Sequence, residues 1–452
     1  LSVSNNYLHS QAFARLAKEV MMNAIVNSHR KHYLQISAIV FLFFFSWSAS
    51  MILLSIWLAQ EAGLDSTMIG LVYTANGLFT VLLKPVYGFI LDRLGMRKNL
   101  LYFIVLASVC MAPFFIFVYK PLLQHFLMAG IILGGLFTSL AWYDGVAACE
   151  SYADRFSRIN HLEFGQIRMW GSLGWASSAA LSGFLFNLDP NMIFIVGSVS
   201  SAVMFCILCF LKSRYNNEQL NQVTNPVALS VRQITGMLRH NPKFWLFCLY
   251  VSGVTGMIYV AEQQYARFFV SFFADHRRGN EMFGYVVTAQ GALEFLMMFC
   301  VPFLINKIGA KNGMLLAGLV VAARLIITGT VGNIAIIAAL KPLYGLEMAL
   351  LLVSVFKYNA EHFDSRVNSM MYLLGYQGTI YLVSLVLATP AGYLYDHIGF
   401  GHTYILMGLC ALVITAISVK TLSRCTNTQF SDIDQDGETE RPNVITADVN
   451  GR

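Results

Sequence analysis

The chain has 452 residues, 57% of them hydrophobic and 12% charged, with a formal net charge of +6. Its apolar residues recur as long runs through nearly the whole length, and many runs exceed the length of soluble helices, which excludes a soluble globular protein. The cysteines fall almost entirely inside these runs without paired spacing, so no metal, disulfide framework or cofactor is implied.

Residues 1–32 are polar and mixed and lack the basic segment, short apolar stretch and cleavage site of a signal peptide. They are expected to form a cytoplasmic segment; Met21 and Met22 inside it are candidate starts, in which case part of it is not native. About twelve runs long enough to cross a bilayer follow. They lie near 34–60, 68–91, 99–119, 123–152, 164–187, 191–212, 244–270, 282–305, 313–332, 333–357, 368–393 and 402–421. With the N-terminus inside, basic residues crowd the inner loops, while the outer loops hold only Lys120, Arg277 and Arg278. That asymmetry predicts both termini in the cytoplasm and makes the net charge a topology signal, with no bearing on nucleic acid.

The longest polar interruption, residues 213–243, separates six spans (33–212) from six (244–421), and the acidic tail 422–452 is expected to be disordered. Each half has a glycine-and-charge turn after its second span, "GFILDRLGMRK" (88–98) and "INKIGAKN" (305–312). The expected fold is therefore all-α, twelve transmembrane helices in two six-helix bundles related as parallel repeats, the major facilitator architecture. In the first turn Gly88 allows close helix approach, and Asp92, Arg93, Arg97 and Lys98 suit a cytoplasmic clasp between helices.

Ionisable groups inside spans mark substrate or proton pathways. The second half holds Glu262, Glu294, Arg324, Lys341 and Glu347, three acids against two bases. One acid thus lacks a permanent cationic partner, and in a low-dielectric site such a carboxyl tends to take up a proton. The first half balances, with Lys84, Asp144, Glu150 and Arg168, which suggests a fixed polar site; a structural or interfacial role is the competing reading for Lys84 and Asp144.

"CESYADRFSRINHLEFGQIRMWGSLGW" (149–175) closely resembles the lactose permease family of oligosaccharide–proton symporters. "EQQYARFFVSFF", "FGYV", Arg324 in "VVAARLI", "KPLYGLE", "FKY" and "YLYDHIGF" extend the resemblance in order over roughly 33–421. It implies a sugar-binding pair, Glu150 and Arg168, with Trp175 beyond it. Guanidinium and carboxylate supply directional partners for sugar hydroxyls. The resemblance also implies a structural ion pair between Glu262 and Lys341, and proton coupling by Glu347 with Arg324. Tyr344 departs from the pattern, standing where the family usually has histidine. Its hydroxyl can donate or accept, but with a reference pKa near 10 a tyrosine does not exchange protons at neutral pH.

Within the family several positions point away from galactoside carriers. Gly291 replaces a glutamate, while Gln290 and Glu294, a helical turn apart, resemble the sucrose permease pattern and join the expected sugar site. A second charge pair is absent at both ends, where Tyr259 and Ile380 stand; joint loss avoids a stranded buried charge. "FFFSWS", "GYQ" and "ATPAG" also resemble sucrose permease segments. The expected function is proton-coupled import of sucrose through a bacterial inner membrane by a monomer embedded in lipid. Raffinose, melibiose, maltose and lactose are alternative substrates, and an uncoupled sugar facilitator is the alternative mechanism. No spacing of residues suggests an enzyme.

Overall fold

The computed structural model describes residues 30–211, 241–363 and 371–423, apart from Gly95 and His161. Most of the 213–243 linker, nearly all of the N-terminal segment and of the acidic tail, and the side chain of Asp92 therefore lie outside the described residues.

Among the described residues all regular structure is helical, as a bilayer requires of segments that must satisfy their own backbone groups. The first half comprises α1 (Arg30–Gln60), α2 (Ser66–Leu94), α3 (Asn99–Val109 and Met111–His125, bent by 48° between its parts), α4 (Leu127–Ile159), α5 (Phe164–Leu188) and α6 (Met192–Phe210). The second comprises α7 (Pro242–Gln263), α8 (His276–Ile308), α9 (Ala310–Thr330), α10 (Ile334–His362), α11 (Leu374–His397) and α12 (Gly399–Thr421). They fall on the twelve expected runs, and among the described residues ten of them, or eleven with the bent α3, are long and apolar enough to cross a membrane. The exception is α5, whose apolar run is interrupted by Gln166, Arg168 and several serines.

The halves meet where α2 packs along α11 and α5 along α8. Close approach depends on missing side chains. A Cβ on Gly70 or Gly77 of α2 would press on the α11 backbone at Ala388 or Leu385, and one on Gly183 of α5 on the α8 backbone at Asn280. At the opposite ends of α2 and α5, a Cβ on Gly88 or Gly165 would meet nothing within 4 Å, so the close helix approach expected at Gly88 is not made in this structure, where the halves have parted. The molecule is thus closed at the end remote from its termini and splayed at the end that carries them. Asp396 seals the closed end from the other half: it accepts from the Ser66 and Thr67 amides at 3.1 and 2.8 Å, capping the N-terminus of α2.

At the splayed end, the two glycine-and-charge turns do one job twice. The Lys98 ammonium donates to the Leu208 and Leu211 carbonyls, at 2.8 and 2.6 Å, and so caps α6. Lys311 donates to Val419 and Leu422, at 2.7 and 2.6 Å, and caps α12. The second turn lacks an acid in sequence, yet the lysine that matters is retained. Arg93 lies over the Phe89 ring, 4.6 Å away, and the Arg97 amide closes the turn on Leu94. Replacing buried Lys98 with Met leaves two carbonyls without their donor and is expected to cost about 1–3 kcal/mol, read as a lower thermal midpoint in detergent with sugar binding retained.

Candidate functional site

The turn joining α4 to α5 brings Glu150 and Arg168 together on the face between the halves. The Arg168 Nε donates to Glu150 Oε1 at 2.5 Å, and the guanidinium lies over Phe44 of α1 at 4.3 Å. The two side chains are 36% and 28% exposed, so their remaining donors and lone pairs face open space. Two turns further along α5, Trp175 stands edge-on to Trp47 at 5.3 Å, and its carbonyl accepts from the Ser48 hydroxyl. Trp47 in turn meets Tyr143 at 6.3 Å, extending an aromatic wall beside the pair. Trp47 was visible in sequence only as part of "FFFSWS".

Gln290 and Glu294 lie on α8 where α10 crosses it. A Cβ on Gly345 would strike the Gln290 carbonyl and the Glu294 amide, so glycine sets this approach. Gln290 is buried, and its side-chain oxygen has no hydrogen-bond partner. Glu294 makes no ion pair or hydrogen bond among the described residues but lies within electrostatic reach of Arg168. At Gly291 a Cβ would sit 3.2 Å from the Ala176 methyl of α5, a tight contact that a small shift of α5 would relieve.

The second charge cluster is sealed. Arg324 of α9 grips Glu347 of α10 with both arms, Nε to Oε1 at 2.7 Å and Nη2 to Oε2 at 2.9 Å, and both side chains are 0% exposed. Glu262 of α7 bridges outward: it accepts from Lys341 and lies 3.4 Å from Arg324 Nη1. The Tyr344 ring stands 5.6 Å from Arg324 and 4.9 Å from Lys341, so tyrosine meets both cations with its π face. Lys341 also lies over Tyr265 at 4.5 Å. Lys341, Tyr344 and Glu347 thus converge as their spacing suggests, although the helix breaks at Pro342.

The charge count in the sequence left one acid over, and the family resemblance made Glu347 the proton carrier. In the structure Glu347 is doubly bonded to Arg324, and Glu294 is the acid of this set that makes no ion pair among the described residues, with Arg168 of the other half in electrostatic reach. Composition gives the excess; helix rotation decides which carboxylate is left. In the first half Lys84 of α2 lies 3.8 Å from Asp144 of α4, both buried. Tyr259, at one position of the absent pair, packs against Tyr381 at 5.6 Å, one residue beyond Ile380.

The sequence profile of the LacY proton/sugar symporter family matches residues 25–433. The raffinose permease of Escherichia coli is 38% identical over 85% of this chain and 91% of its own length. The lactose permease of Klebsiella oxytoca is 38% identical over 81% and 89%, and the sucrose permease of Escherichia coli 32% over 85% and 92%. Among solved structures, the nucleoside transporter NupG superposes with a TM-score of 0.71 at 16% identity, covering 87% of this chain and 99% of that one, which speaks to the fold alone.

Proposed function

The chain belongs to the LacY proton/sugar symporter family, and from that premise we propose that it drives uptake of an oligosaccharide built on a sucrose unit, sucrose or its galactosyl derivative raffinose. The observation carrying this reading is the division of charge into two places. Arg168 and Glu150 are open to a polar ligand, whereas Arg324 and Glu347 are sealed from water. An open pair suits a sugar that comes and goes; a sealed pair suits a proton that must not leak.

The choice of sugar rests on Gly291, which stands where galactoside carriers have a glutamate and packs close to Ala176, and on Gln290 and Glu294 beside it. The relatives widen the expectation beyond sucrose: the raffinose, lactose and melibiose permeases each share 38% identity against 32% for the sucrose permease, and of their named sugars raffinose contains the sucrose unit.

Glu150, Arg168, Trp175, Gln290 and Glu294 bind the sugar; Glu347 carries the proton, aided by Arg324; Tyr344 orients charge through its ring; Glu262 with Lys341 hold α7 to α10. The protein works as a monomer in a bacterial inner membrane with both termini cytoplasmic, so the closed end faces outward and the structure is inward-facing. Rocking of the halves about the central site exchanges the two openings.

Adding sucrose or raffinose to lightly buffered, energy-depleted cells is expected to turn the medium alkaline as protons enter with sugar. Sugar entry without a pH change would refute coupling and leave a facilitator.

A further inference from the structure

The pair that the sugar and proton sites leave unused is Lys84 with Asp144. Both are deeply buried, at 5% and 1% exposure. Neither Asp144 oxygen has a hydrogen-bond partner, an expensive state for a buried carboxyl. The reason lies across the interface: the Lys84 ammonium donates to Gln377 Oε1 of the other half at 3.2 Å and stands 3.8 Å from Asp144. The Tyr381 ring of α11 lies 5.0 Å from the same ammonium.

The location along the helices gives the arrangement its meaning. Outward of Lys84, Gly77 of α2 lies against the α11 backbone at Tyr381 and Leu385; inward of it, Gly88 has no neighbour within 4 Å. Lys84 therefore sits where the two halves part company. Each of its partners stands on or beside an irregular turn. Asp144 directly follows a π-helical segment, Ser139–Tyr143, and Gln377 belongs to another, Met371–Gly378. Such turns re-aim side chains and recur at functional sites. Pro85 follows Lys84 and removes one backbone bond from α2.

We propose that Lys84 is a positioning residue for alternating access, which exchanges its hydrogen bond between Gln377 of the opposite half when the protein faces inward and Asp144 of its own half when it faces outward. The proposal rests on the symporter reading only in requiring that the halves rock. Its two acceptors lie at similar distances, so a small shear at the crossing of α2 and α11 hands the ammonium from one to the other. The unbonded Asp144 seen here is the empty berth of that exchange. A buried ammonium always needs an acceptor, so each state has one ready, and neither is locked.

The test uses opposite signs. Gln377→Glu makes the cross-half acceptor charged and is expected to favour the inward-facing state by about 10-fold, since charge-assisted hydrogen bonds are roughly twice as strong as neutral ones. Gln377→Leu releases Lys84 to Asp144 and is expected to favour the outward-facing state. The readout is the labelling rate, by a membrane-impermeant maleimide, of a cysteine placed by Thr74→Cys, corrected for labelling of protein without it. Thr74 is hydrogen-bonded to Thr389 across the closed end at 2.7 Å, so it becomes reachable only when that end opens. The rate should fall with Gln377→Glu and rise with Gln377→Leu. Adding Lys84→Met should erase the Gln377→Glu effect, while sugar binding by the full chain reports that each variant is folded. Equal rates in both Gln377 variants, or a Gln377→Glu effect that survives loss of Lys84, would overturn the exchange. Cells that take up no sugar would instead overturn the substrate reading, leaving the labelling result to judge Lys84 by itself.

Discussion

Arg168→Lys is expected to abolish sugar binding, with an affinity loss on the order of 100-fold or more. The side chain spends its Nε on Glu150, at 2.5 Å, and is fixed from below by the Phe44 ring at 4.3 Å. That leaves the two terminal nitrogens of a planar fork presented in set directions to a ligand. A lysine ammonium keeps the charge but is a compact point on a flexible stem, unable to hold Glu150 and also reach two hydroxyls in a plane. Each lost charge-assisted hydrogen bond is worth roughly 1.5–3 kcal/mol, and two such losses pass two decades of affinity. Because the pair is more than a quarter exposed, the substitution strands no buried charge, so the protein should fold. Equilibrium competition with labelled sucrose and raffinose checks both points. An affinity within threefold of the parent would remove Arg168 from the sugar site.

The two charge constellations were legible in the sequence because the bilayer makes charge rare. A glutamate or arginine inside an apolar run has few innocent explanations, so Glu150, Arg168, Arg324 and Glu347 stood out before any geometry was known. The repeat was legible for the same reason, since turns at 88–98 and 305–312 are polar where the chain must leave the membrane. The partners of these charges followed from the family resemblance and not from the charges themselves, and the structure forms the same pairs. Glu262 and Lys341 are 79 residues apart, and the assignment of Glu347 to Arg324, leaving Glu294 without an ion pair among the described residues, depends on how α8, α9 and α10 are rotated against one another. Neutral residues were harder still. Gln377 carries no charge to betray it, and Trp47 is one aromatic among many; only their place on the interior face gives them meaning. The π-helical turns beside Asp144 and Gln377 leave no periodic trace in an apolar run, where every face reads alike.

Glu347→Gln is the second large effect, expected to lower the accumulation ratio to about one while equilibrium exchange continues near the parental rate. Translocation and coupling are separate demands. Exchange needs a cavity, a sugar site and two halves that rock, and none of these touches Glu347. Accumulation needs a group that is charged in one state and neutral in the other, and an amide cannot change charge. The fold should survive, because Arg324 keeps a carboxylate at 3.4 Å in Glu262, and glutamine fills the same volume beside it. A buried guanidinium with no acid at all would be strongly destabilising; this one is not so exposed to loss. Vesicles settle the matter: uptake driven by an imposed proton gradient should fail, and exchange of labelled for unlabelled sugar should persist. If accumulation survives, the proton rides on another acid, and Glu294 makes no ion pair among the described residues. Glu294→Gln would then carry the loss, and the arginine-gripped Glu347 would be a structural partner.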